Sequence, residues 1–349
     1  MTSATTLIPV PLDAGPAVDE APAAPPERVP TTDRGRAEGP RVRQVSRPVT
    51  ALAARALLGA TSRCTLPGVH EFARRVGDLG WTLPMRESRV TRVNVALCFP
   101  ELTERERHRF GRESLEEAAC MIGELGPLWM RPVDEVLARV VDVRGEEFLR
   151  EAIARGQGVV VAGPHLGAWE LLGLWMAVRH SLTSLYRKPR VRQLDGLVWK
   201  ARSRSGARLL PADVSGIRAA CQALRRGECV GVLPDQDPGA GWGEFAPFFG
   251  IPANTSTLVP RLASRFGSAV VLAFAERLPD GKGYRIHVRP GSGEIACGDF
   301  VAGARALNRD VEDLVRLAPL QYLWSYKRFR TRPAGSPNLY CSPGRTGRD

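Results

Sequence analysis

The sequence predicts an α/β fold with a mostly parallel central sheet and helices on both faces, and three observations lead there. Short runs that are apolar throughout recur in the middle of the chain, at 158–163, 182–186, 229–233 and 269–275. A strand buried on both faces reads this way, whereas a strand with one wet face alternates. Helical patterns follow the first two runs, at 168–179 and 195–203, and strands separated by helices pair in parallel. The bulk composition, 44% hydrophobic and 25% charged over 349 residues, is that of a globular chain able to bury a full core.

Taken in order, residues 1–48 are rich in Pro, Ala, Thr and charge. They hold too little apolar surface to offset the entropy of ordering, so a disordered extension is expected. Two short amphipathic helices, at 49–60 and 67–80, form a helical lead-in over 49–80. No stretch reaches the roughly 18 apolar residues that span a bilayer, and the most apolar one, 52–60, is broken by Arg55. No signal peptide is visible. Contact with a membrane is therefore expected from its surface. A longer helix runs from Thr103 to about Met130 and opens with a capping box, Thr103 then Glu106. The strand–helix alternation places one domain over 81–332. Pro333, Gly335, Pro337 and Pro343 mark 333–349 as a disordered tail.

Lys+Arg number 49 against Asp+Glu 37, a formal net charge of +12. Such a surface favours acidic partners, whether nucleic acid, anionic headgroups or an acidic carrier protein. No recognisable nucleic-acid-binding module accompanies the charge, so nucleic acid is not expected. Seven cysteines are scattered without a C-x-x-C pair, which suits free thiols in a reducing compartment. Neither a metal nor a cofactor is expected.

The sharpest feature is Gly163-Pro164-His165-Leu166-Gly167-Ala168-Trp169-Glu170. A buried strand breaks at Gly163-Pro164, and His165 stands at the mouth of the next helix, a rigid yet accessible position. Glu170, in the first helical turn, is placed to reach back to the imidazole and support it as a general base. A structural histidine at a helix start is the other reading. No serine or cysteine stands beside His165 as a nucleophile, so direct attack by an acceptor hydroxyl is the simpler chemistry. Arg187 and Arg190 follow the second strand, with Arg202 and Arg204 further on. Arginine binds phosphate through its planar fork, and Arg187, Arg190 and Arg204 are candidates for this, against a merely solvated basic loop. Asp235, Gln236 and Asp237 follow the third strand and are candidates to orient a substrate hydroxyl, or they form a plain Asp/Gly turn. The segment 245–252, with Phe245, Phe248 and Phe249, reads as an aromatic loop that lines an acyl groove, dips into lipid or joins the core.

Together and in order these pieces resemble the lipid A late acyltransferases of Gram-negative bacteria. The resemblance spans about 80–333 and rests on six ordered motifs. They are Asn94 through Cys98 to Arg107, Pro164 to Glu170, Tyr186-Arg187, Leu233 to Gly239, Phe245 to Gly250, and Pro319 to Arg330. It implies an acyltransferase-like fold, an acyl carrier protein thioester as donor and a lipid A precursor hydroxyl as acceptor. It also implies His165 and Glu170 as the catalytic pair. A peripheral position on the cytoplasmic face of the inner membrane is expected from the residues themselves: the basic balance, the helix around residues 52–58 and the loop with Trp242, Phe245, Phe248 and Phe249. Related chemistry on another glycolipid, such as a mannosylated phosphoinositide, or on a secondary-metabolite hydroxyl, with acyl-CoA as donor, is the alternative.

Overall fold

The computed structural model describes residues 47–189 and 191–341. Most of the expected extension (1–46), Arg190, and the tail from 342 onward lie outside the described residues. Four helices lead in: α1 (Arg47–Arg63), α2 (Leu66–Thr82), α3 (Arg86–Cys98) and α4 (Glu104–Met130). The Thr103 capping box forms as expected: its hydroxyl accepts from Glu106 N, and the Glu106 carboxylate accepts from Thr103 N at 2.8 Å. Helices α1 and α2 both pack along α4.

The chain then alternates through α5 (Val133–Leu137), β1 (Val140–Arg144), α6 (Glu146–Ala154), β2 (Val159–Ala162) and α7 (Trp169–Arg179). Next come β3 (Leu182–Tyr186), α8 (Asp195–Ser203), β4 (Arg208–Pro211), α9 (Val214–Arg225) and β5 (Cys229–Val232). A hairpin, β6 (Glu244–Phe248) and β7 (Ile251–Thr255), precedes α10 (Leu258–Phe266), β8 (Ala269–Arg277), β9 (Tyr284–Pro290) and α11 (Phe300–Leu317). Seven strands form one sheet in the order β1-β9-β8-β2-β5-β3-β4. All neighbours run parallel except β8 and β9, so the expected α/β class with a mostly parallel sheet is what the chain forms.

Both faces of the central strands are covered. Val160, Ala162, Val230 and Leu272 point into one core with residues of α9, α10 and α11. Their neighbours Val159, Val161, Cys229 and Val271 point into a second core with residues of α6 and α7. Alternate side chains on two buried faces are why these runs are apolar throughout.

Two stretches depart from the reading of the sequence. Residues 245–252 are a β-hairpin, not a loop. Phe249 and Gly250 turn it with positive φ, 48° and 75°, as a two-residue primed turn requires, and Pro247 opposes Pro252 across it. Phe248 is fully buried, while Phe245 and Trp242 remain exposed. The segment after Arg332 was expected to lack structure, yet over its described part Tyr340 is anchored. Its phenol donates to Asn94 Oδ1 at 2.7 Å and accepts from Phe329 N at 3.0 Å.

No helix among the described residues is long and apolar enough to cross a membrane. Instead, Leu52 and Leu57 of α1 are exposed, as are Phe72, Val76 and Leu79 of α2 and Leu83 just beyond it. The spacing of the α2 set, i, i+4, i+7 and i+11, is a single helical stripe.

Candidate active site

Strands β2 and β5 are parallel neighbours, with Ala162 paired to Val232. The ladder is extended by Gly163 N donating to Val232 O at 3.0 Å. His165 and Asp235 each stand three positions beyond their paired residues, so equal register delivers both to the same sheet edge. There the His165 Nδ1 pairs with Asp235 Oδ1 at 2.8 Å, and His165 N donates to Asp235 Oδ2 at 2.9 Å. Burial pushes the Asp235 carboxyl upward, but the charge of His165 and its two hydrogen bonds outweigh this and hold the group below the usual range. An ionised Asp235 can only accept, so the Nδ1 of a neutral ring carries the N–H that donates to it and Nε2 keeps the lone pair.

The loop that carries His165 is clamped from two sides. Gly167 has φ +61°, and a Cβ there would lie 2.1 Å from Ala275 O, so only glycine fits. Ala168 N donates to that same carbonyl at 2.8 Å, and Gly167 N donates to Gln321 O at 3.1 Å. Leu323 N donates to His165 O at 3.1 Å. His165 is therefore fixed by strand β8 and by residues 321–323 as well as by its own strand.

Glu170 does not reach His165. Its carboxylate accepts from Arg202 Nε at 3.0 Å and from Trp129 Nε1 at 3.3 Å. Helix α7 begins at Trp169, which places Glu170 in its first turn, facing α8 rather than the loop before it. Arg202 also lies over the Trp169 ring, 5.3 Å from its centroid, and that ring sits 5.2 Å from the His165 ring. Burial lowers the proton affinity of Arg202, but Glu170 more than compensates and raises it above the ordinary arginine value.

The remaining candidates separate. Gln236 is brought in: its amide nitrogen lies 3.1 Å from His165 Nε2. Asp237 turns away, accepting from Gly239 N at 2.8 Å, Asn254 Nδ2 at 3.0 Å and Thr331 N at 2.8 Å, and so it anchors the loop. Arg204 donates to the carbonyls of Leu128 and Arg131 at the end of α4; its guanidinium is engaged in closing that helix. Arg187 is exposed just past β3, and Arg190 falls outside the described residues. Tyr322 is buried close to Asp235, and burial followed by that charge pushes its phenol well above the usual value.

Comparison with known proteins covers most of the chain. Residues 52–331 match the family model of the bacterial lipid A biosynthesis acyltransferases. The chain is 31% identical over 275 residues to the lipid A biosynthesis lauroyltransferase of Escherichia coli K12, covering 78% of this chain and 89% of that protein. It is 30% identical over 267 residues to the palmitoleoyltransferase of the same organism, covering 76% and 86%. Against the myristoyltransferase it is 30% identical over 269 residues, covering 76% and 82%.

Proposed function

The chain belongs to the bacterial lipid A biosynthesis acyltransferase family and is an acyltransferase; from this premise we propose that it moves a fatty acyl chain from an acyl carrier protein thioester to a hydroxyl of a lipid A precursor. The observation that carries the mechanism is the His165–Asp235 pair at the sheet edge, 2.8 Å apart. The acceptor hydroxyl gives its proton to His165 Nε2 as its oxygen attacks the thioester carbonyl. The new C–O bond forms and the C–S bond breaks. The imidazolium, held by ionised Asp235, then returns the proton to the leaving thiolate. In this reading Glu170 acts through Arg202 and Trp169 rather than on the base itself, and Arg187 offers an exposed cation for an acceptor phosphate.

The acceptor stays in a bilayer because each buried CH₂ is worth ~0.8 kcal/mol, so the enzyme must reach the surface. The exposed stripe Phe72, Val76, Leu79 and Leu83, with Leu52 and Leu57, suits shallow insertion, and the net charge of +12 suits the anionic cytoplasmic face. Of the aromatic groups Trp242, Phe245, Phe248 and Phe249, which the sequence offers for the same contact, Phe248 is excluded by its burial, while Trp242 and Phe245 are exposed.

One experiment covers acceptor, base and location. A strain lacking the gene is complemented with wild type or His165→Ala, its lipid A is weighed by mass spectrometry, and its membranes are pelleted at low salt. Wild type should restore one acyl chain and sediment with membranes. His165→Ala should sediment equally but lose ~10²–10⁴ in transfer. Unchanged lipid A with wild type would redirect the reading to another glycolipid or hydroxyl, and a soluble wild-type protein would remove the peripheral-membrane claim.

A further inference from the structure

The lone pair of the base is already occupied. With Nδ1 donating to Asp235, the Nε2 atom of His165 is an acceptor, and what faces it at 3.1 Å is the side-chain nitrogen of Gln236, a donor. The residues on either side hold this amide in place. Asp235 and Asp237 are buried and multiply hydrogen-bonded, which fixes the backbone between them. Gln236 itself is only half-buried, so its side chain retains room to rotate.

A thioester beside an unoccupied general base is exposed to a side reaction. Water takes the place of the acceptor, its proton passes to the imidazole, its oxygen attacks the carbonyl, and the products are the fatty acid and the thiol. An active site suppresses such reactions by keeping water from the reacting groups until the right substrate arrives. Resting on the base role of His165, we propose that Gln236 is a positioning residue that gates that base. Its N–H holds the Nε2 lone pair until an acceptor hydroxyl displaces it, and then donates to the oxygen of that hydroxyl as the hydroxyl donates to Nε2. The gate thereby favours transfer over hydrolysis, and it selects for acceptors able to compete for a hydrogen bond already made.

The test uses the full chain, a dodecanoyl thioester of pantetheine as donor, and release of dodecanoic acid with no acceptor present. Wild type should hydrolyse this donor far more slowly than it transfers the chain to lipid acceptor. Gln236→Ala and Gln236→Leu should hydrolyse it roughly tenfold faster than wild type and transfer roughly tenfold slower, the scale of one neutral hydrogen bond. Adding His165→Ala to either should return hydrolysis to background. General damage to the site lowers both reactions, so opposite changes are the signature of a gate. Hydrolysis unchanged or reduced in folded variants overturns the proposal, as does a wild type that hydrolyses as fast as it transfers. Normal transfer by His165→Ala alone would instead remove the base reading.

Discussion

Among the described residues three buried histidines, His70, His165 and His287, pair with a carboxylate, and the first two sit in opposite settings. His165 meets Asp235 at 2.8 Å at the open edge of the sheet. His70 of α2 meets Glu124 of α4 at 2.6 Å, where Glu124 also accepts from Arg277 of β8 at 2.7 and 2.6 Å. Arg277 reaches on to Glu117 at 2.7 Å. His70 and Glu124 are 1% and 0% exposed, whereas His165 keeps 9% and presents its second nitrogen to a half-buried amide. The inner cluster bolts the N-terminal helices to the sheet. A histidine–carboxylate contact is thus not in itself a sign of catalysis; what separates the two is the far nitrogen, enclosed without a partner in His70 and facing the half-buried Gln236 in His165.

The largest effect expected from this contrast is at the edge pair. Asp235→Asn leaves the imidazole present but favours the wrong tautomer, and kcat should fall by ~10²–10⁴ with little change in melting temperature. A loss of stability with turnover per folded molecule intact would reverse the assignment of the two clusters.

The inner cluster should respond in stability. Glu124→Gln leaves Arg277 without its main counter-charge, which costs about 3–5 kcal/mol, while the molecules that fold remain active. Burial alone would raise the Glu124 carboxyl, but the Arg277 charge and the bonds from His70 and Arg277 lower it from 4.5 to about 2. A carboxyl depressed on folding stabilises above its unfolded value. Its contribution, about 3 kcal/mol, is therefore complete above pH 4.5 and lost as pH falls toward about 2. Chemical denaturation at stepped pH should show that slope in wild type and a shallower one in Glu124→Gln. Equal slopes would mean the cluster does not carry the acid sensitivity.

The smallest effect sharpens the edge site. Because Glu170 bonds Arg202 and Trp129 rather than His165, Glu170→Gln should cost roughly ten- to a hundredfold in kcat/KM. That loss should sit mainly in KM, with Arg202→Lys following it. A collapse of kcat as deep as that of Asp235→Asn would restore Glu170 to the base.

What the sequence determined by itself was whatever is local. Apolar runs a few residues long marked the strands β2, β3, β5 and β8, the Thr103–Glu106 spacing marked the start of α4, and the break at Gly163-Pro164 put His165 at a strand end. The partner of His165 was not local. A glutamate five positions on, in the first turn of a helix, looked like the natural support, but parallel register with β5 brings Asp235 from 70 residues away. Helical phase decided between the arginines in the same way. Residues two apart on a helix point about 200° apart, so Arg202 faces Glu170 while Arg204, at the helix end, closes α4. The prolines of 244–255 masked a hairpin whose strands pair only with each other. Composition and short-range pattern set which elements form, because those depend on neighbours along the chain. The site was decided by strand register and helix phase, which exist only once the sheet has assembled.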